Sequence, residues 1–157
     1  MSLIAFAETL QQSALGLALR DSSPFVVLGI QLVHVLGLIL LLTSLVLVNL
    51  RLLGWGLRSL PLLQVVQATR LGLWLGLAMT VASGTLLFIS APVHYAANVA
   101  FVPKMLLLLA ALIVQASLYR RVTATEYTAP VLARSTAVIS LSLWFSVGLA
   151  GRAIGFV

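Results

Sequence analysis

Two histidines are the side chains of this sequence best suited to chemistry inside a membrane, and one of them, His34, stands deep in an uncharged apolar run. The run reads PFVVLGIQLVHVLGLILLLTSLVLVNL from Pro24 to Leu50. As a helix it would rise about 40 Å, more than the roughly 30 Å of bilayer hydrocarbon. An ionisable ring at that depth is costly unless protein, water or a cofactor engages it. Through three- and four-residue spacings, Gln31, Gly37, Leu41 and Ser44 lie near its helical face. Such an imidazole suits an axial haem ligand, a copper ligand or a proton relay. It equally suits a neutral ring hydrogen-bonded to a neighbouring helix.

His94 lies between Ala91 and Pro103, a stretch bounded by prolines and too polar to span. Alone it is an ordinary interfacial histidine. If the loop dips into the bundle, its ring lies across a haem from His34, and closure of both axial positions by imidazole suits a low-spin haem b for electron transfer. Haem propionates need cations near water, and Lys104 and Arg152 fall at the expected end. Each serves equally well as a snorkelling headgroup contact. Met79 and Met105 are soft donors for Cu(I) beside a histidine, or filler in apolar helices. Tyr95 and Asn98 are candidate hydrogen-bonding partners for a cofactor or quinone edge.

Composition removes other chemistries. The sequence has 157 residues, is 62% hydrophobic and 8% charged, and contains no cysteine. Disulfides, iron–sulfur clusters, zinc–thiolate sites and covalently attached haem are therefore excluded. Glu8, Asp21 and Glu126 are the only acids, too few for paired-carboxylate hydrolysis or a divalent-cation cluster. The net charge of +6 comes from nine basic residues scattered between apolar runs, which make no nucleic-acid face. The chain reads as an all-α integral membrane protein, a single domain over 1–157 forming a four-helix bundle with an N-terminal interfacial helix.

That helix is expected over about 3–19, with apolar groups on one side and Glu8, Gln11 and Gln12 on another. A signal peptide is the rival, but no basic residue precedes the apolar part. Ser23 is the expected N-cap and Pro24 the first helical residue of a span over about 24–50. Arginines, Gly54, Gly56 and Pro61 punctuate the next turn, with Trp55 at headgroup level. A second span over about 67–90 carries Gly72, Gly76 and Thr80, then Ser83 and Gly84, a seam for close helix approach. The third runs over about 104–119 and contains Gln115. A polar connection with Glu126 and Pro130 leads to the last, about 131–150, which carries Ser142, Ser146 and Ala150 at four-residue intervals.

Arg51, Arg58, Arg70, Arg120, Arg121 and Arg134 fall on one side, and Arg20, Lys104 and Arg152 on the other. The excess-positive side is expected in the cytoplasm, which puts both termini on the outer, periplasmic side.

Three segments carry a resemblance: LVHVLGLILLLTSLVLVNLRLLG at 32–54, SGTLLFISAPVHYAANVAFVPKMLLLLAAL at 83–112 and LWFSVGLAGRAIGF at 143–156. They resemble a family of small bacterial four-span inner-membrane proteins whose role is not established. The shared features are the His-x-x-Gly of the first span, Tyr-x-x-Asn and Phe-x-x-Lys around the loop, and the terminal Gly-Arg. The first-span histidine and glycine are also distantly similar to the copper-resistance D membrane domain and the haem-binding four-helix protoporphyrinogen oxidase. That similarity implies a haem or metal ligand at His34. Gln31 stands where an acid is expected in many relatives, so no proton-transfer role is implied there. The expected function is haem b binding and electron transfer, as an accessory subunit or partner of a quinone-linked or respiratory oxidoreductase rather than a stand-alone enzyme. A copper or small-ion transport module and a cofactor-free structural subunit, including a homo-oligomer, are the competing expectations.

Overall fold

The computed structural model describes residues 2–124 and 130–156. They fold into helices throughout, with no strand among the described residues. Helices α1 (Leu3–Gln11) and α2 (Ala14–Arg20) precede α3 (Pro24–Leu53) and α4 (Leu62–Ser90). A short α5 (Pro92–Ala97) leads to α6 (Phe101–Val114), which continues through a π-helical turn (Gln115–Tyr119) into α7 (Arg120–Thr123). The last element is α8 (Pro130–Ala153). Four helical stretches are long and apolar enough to cross a membrane: 24–53, 62–90, 101–123 and 130–153. The protein is a multi-pass helical membrane bundle in contact with lipid.

Local chemistry explains the boundaries. Ser23 caps α3 by accepting from the Phe25 amide at 3.4 Å, and Pro24 occupies the first turn, where a missing amide costs nothing. Gly54 ends α3 with φ of 74°, the left-handed region glycine enters without a Cβ penalty. Arg51 Nε donates to the Leu60 carbonyl at 2.7 Å, and Arg58 Nε donates to the Gly54 carbonyl, so two arginines close the α3–α4 turn. Trp55 there is 79% exposed. α4 begins at Leu62, five residues before the expected start, because Pro61 supplies helix-compatible geometry at its entry. The expected single interfacial helix is broken: Ser13 Oγ accepts from the Gly16 amide at 3.1 Å and starts a new helix, α2. Glu126 lies outside the described residues.

The spans pack unevenly around the bundle, and the third touches α4 near its ends, through Phe101 and through α7. α3 packs along α4 on one side and along α8 on the other, and α8 packs along α6. α4 and α6 touch through Phe88 and Phe101, whose rings stack 5.2 Å apart, while their backbones do not run side by side. The α3–α4 seam is built from absent side chains. A Cβ at Gly76 would lie 2.5 Å from the Leu41 amide nitrogen and 2.7 Å from the Gly37 carbonyl oxygen. One at Gly37 would lie 2.8 Å from Thr80 Oγ1, and one at Gly72 2.6 Å from Ser44 Oγ. Close backbone approach replaces the hydrophobic drive that lipid removes.

α8 is the most buried span, holding Ala133, Thr136, Ala137, Ser140, Trp144 and Val147 inside. Ser142, one of the regularly spaced small residues, is exposed instead. Asn49 Nδ2 donates to Ser140 Oγ at 3.3 Å, joining α3 to α8 through two buried polar groups. Both termini and α5 share one face, here the terminal face. α1 lies on α5, and Asn98 Nδ2 donates to the Ile154 carbonyl at 3.1 Å, tying the loop to the end of α8.

Identical substitutions separate this seam from open helix surface. Gly76→Ala is expected to lower stability by about 2 kcal/mol or more, since the methyl meets backbone that cannot yield. Gly148→Ala, where a Cβ meets nothing within 4 Å, is expected to be neutral or stabilising by roughly 0.5–1 kcal/mol. Thermal unfolding of both variants in detergent checks the contrast.

Candidate functional site

His34 lies ten residues into α3, about 15 Å below the terminal face. Opposite it on α4 stands Ser83, and His34 Nδ1 lies 3.0 Å from Ser83 Oγ. The Ser83 hydroxyl has one hydrogen, directed at the Met79 carbonyl, with the Thr80 carbonyl a second acceptor at 3.4 Å. In the tautomer protonated at Nδ1, Ser83 Oγ accepts from the ring. That tautomer leaves a lone pair on Nε2, and the backbone of Thr80 also lies within hydrogen-bonding reach of the ring. Gly84 makes room for the ring: a Cβ there would lie 3.1 Å from His34 Cε1.

The charged group whose field reaches this imidazole is Lys104, one turn into α6. Lys104 is half-buried and makes no ion pair or hydrogen bond among the described residues. Its aliphatic end rests against α8, where a Cβ at Gly151 would lie 3.4 Å from Cε and 3.6 Å from Nζ. Thus α3 supplies an imidazole, α4 its hydrogen-bond acceptor, α6 an ammonium and α8 the glycine that admits it. Above them, Phe88, Tyr95 and Phe101 pack with centroid separations of 5.2–6.3 Å and bind α4, α5 and α6 together. Burial in that cluster pushes the Tyr95 phenol above its ordinary range.

The other sequence candidates lie elsewhere. His94 is exposed on α5, edge-on to Tyr95 with centroids 5.6 Å apart, and lines a cleft with α1 and α2. Ser83 sits seven residues inside the end of α4, about 10 Å along its axis, whereas His94 lies beyond that end. The structure does not place the two histidines together. Arg152 is exposed at the end of α8, its guanidinium carbon 4.8 Å from the Phe156 ring centroid. Gln31 is exposed and does not support His34. Met79 lines a lipid-facing groove between α3 and α4, and Met105 is 44% exposed. Among the described residues no three His, Cys, Asp or Glu side chains gather as a metal site.

Sequence spacing could not pair Ser83 with His34, because the partner comes from another helix, but the Ser83–Gly84 step within the small-residue seam was its available signal. The Asn49–Ser140 bond had no comparable signal: serine at helix positions usually satisfies itself on its own backbone.

The model of a family of unknown function, DUF6644, matches residues 6–157, and the chain belongs to that family. No curated protein and no solved structure matches it. The match brings no activity with it, so the chemistry of the site is tested on the ring itself. Long-range 1H–15N correlation of His34 is expected to show neutral imidazole protonated at Nδ1, with Nε2 in the unprotonated range. Ser83→Ala should remove that preference and cost about 1–2 kcal/mol by leaving the buried N–H without its acceptor.

Proposed function

We propose that this member of the DUF6644 family binds one haem b in the half of the bundle nearest the termini. The group would serve electron transfer, with the protein acting as a subunit or partner of a quinone-linked membrane oxidoreductase. One observation carries the reading: His34 Nδ1 meets Ser83 Oγ at 3.0 Å inside a membrane span, and in the tautomer protonated at Nδ1 the ring keeps the Nε2 lone pair for a ligand. Histidines that ligate metals have their other ring N–H held by an acceptor, which sets the tautomer and raises ligand basicity. In that tautomer Ser83 does this for His34.

The surroundings fit a haem in two further respects. Lys104 is a half-buried cation without an anionic partner among the described residues, as a propionate requires. α4 and α6 are not packed along each other next to the Phe88–Phe101 contact, beside the helices that carry His34 and Gly151. Arg152, nearer water on the same face, would meet a second propionate. Bound haem would supply a one-electron couple. The chain's own residues would orient the iron ligand, neutralise the propionates and, through the Phe88–Tyr95–Phe101 cluster, limit water entry from the terminal face.

His94, exposed in the cleft at α1 and α2, would hold the same group with His34 only from a position nearer to it than the one α5 gives it here. The methionines favour copper less, since Met79 faces the lipid groove and Met105 is largely open. The distribution of arginines supports a bacterial cytoplasmic membrane with the terminal face outward.

Protein purified in mild detergent from haem-replete cells is expected to show a Soret band and sharp reduced α and β bands. His34→Ala should abolish them, and Lys104→Ala should weaken haem retention several-fold. His94→Ala should convert a low-spin to a high-spin spectrum; an unchanged spectrum removes His94 from the ligand set and leaves His34 in it. A colourless, monodisperse wild-type protein overturns the proposal.

A further inference from the structure

The interfacial layer holds a second gathering of polar side chains, independent of His34. Glu8, Gln11 and Gln12 of α1, Arg20 of α2, Ser90 of α4 and His94 of α5 line one open cleft of about 710 Å³. That size suits a small-molecule site. The Glu8, Gln11, Gln12 and Arg20 side chains make no hydrogen bond or ion pair among the described residues. An acid and a base that line one cleft without pairing can each receive one charge of the same ligand. The electrostatics therefore select a zwitterion, with an anionic group for Arg20 and a cationic one for Glu8.

The position of the cleft narrows the source. It lies where α4 ends, at the level where a membrane's headgroups begin. The two helices that wall it expose Phe6, Leu15 and Leu17 by 46%, 50% and 47%, apolar groups that interfacial helices lower into the acyl boundary. Leu17 also lines the cleft, with Val93 beside it. The site thus has charged receptors and an apolar wall at the depth where a phospholipid changes from headgroup to chain.

We infer that this cleft seats the headgroup of an amine-bearing glycerophospholipid, its phosphate on Arg20 and its ammonium on Glu8. Guanidinium matches phosphate oxygens in a two-pronged geometry, and a carboxylate accepts the ammonium N–H groups. A choline headgroup has the phosphate but no N–H to donate. A glycerol headgroup has no cation for Glu8.

The test is native mass spectrometry of the delipidated full-length protein against equimolar phosphatidylethanolamine, phosphatidylcholine and phosphatidylglycerol with identical chains. Wild type is expected to retain the ethanolamine lipid several-fold over either other lipid, on the scale of one charge-assisted hydrogen-bonded pair. Glu8→Gln should bring that preference close to unity while total lipid retention stays. Arg20→Gln should lower retention of all three. Both positions are exposed on surface helices, and coincident thermal melts verify intact variants. Equal retention of the three lipids by wild type, or a preference that survives Glu8→Gln, overturns the inference. Displacement of the lipid by equimolar O-phosphoethanolamine also overturns it, assigning the cleft to a soluble zwitterion.

Discussion

A single hydroxyl proton governs the terminal half of this bundle. Ser83 gives it to the carbonyl one turn earlier on α4, as serines in apolar helices commonly do. The oxygen is left as an acceptor facing α3, and His34 is the donor that meets it. In water such a bond would be one of several interchangeable options; in hydrocarbon the alternatives are absent and an unmade bond is costly. The contact restrains the orientation of the ring, and the tautomer protonated at Nδ1 is the one in which His34 donates. In that tautomer Nε2 keeps its lone pair inside a membrane span, and with it the case for a ligand.

The bond depends on how close α3 and α4 come, and glycine sets that distance. Gly76 brings the backbones within reach of Leu41 and Gly37, while Gly84 leaves the width of an imidazole between the same helices. A side chain at either position would separate α3 from α4 or displace the ring. The seam is therefore both the adhesive of the helix pair and the spacer of the site. α8 provides a parallel case with a different outcome. Gly151 admits the Lys104 side chain against a helix that is otherwise the most buried of the four, so an ammonium reaches α8 from α6 without an acid to meet it among the described residues.

Features encoded in contiguous residues were legible in the sequence. The four spans follow from apolar run length, the Ser23–Pro24 entry from capping chemistry, and a close helix approach on the second span from small residues every fourth position. The break between α1 and α2 was harder to see, because the apolar pattern continues through Gln12–Ser13 while Ser13 caps a new helix. Features that need two helices at once were not legible. His34–Ser83 and Asn49–Ser140 are separated by 49 and 91 residues, and no periodicity within a helix identifies the partner across the interface. His94 shows the converse: adjacency to one face by topology does not bring a side chain to the depth of another, and α5 holds it in the interfacial layer.

Buried polar groups elsewhere in the bundle bear on the nature of the site. Asn49 Oδ1, Gln115 Oε1 and Thr136 Oγ1 in the half away from the termini, and Thr80 Oγ1 and Trp144 Nε1 nearer the terminal face, are buried with no hydrogen-bond partner among the described residues. Orphaned atoms thus occur along the interior and do not by themselves mark a functional centre. What distinguishes the His34 region is the combination of an ionisable ring, a hydroxyl 3.0 Å from it, and a cation from a third helix that is unpaired among the described residues. Asn49 and Ser140, neutral and joined directly, are accounted for by helix association alone. His34 and Lys104 are not: two groups that can both carry positive charge repel when they do, and helix association gains nothing from placing them near each other. An electron-rich or anionic occupant between them would reverse that repulsion, which is why the chemistry of this chain is sought there.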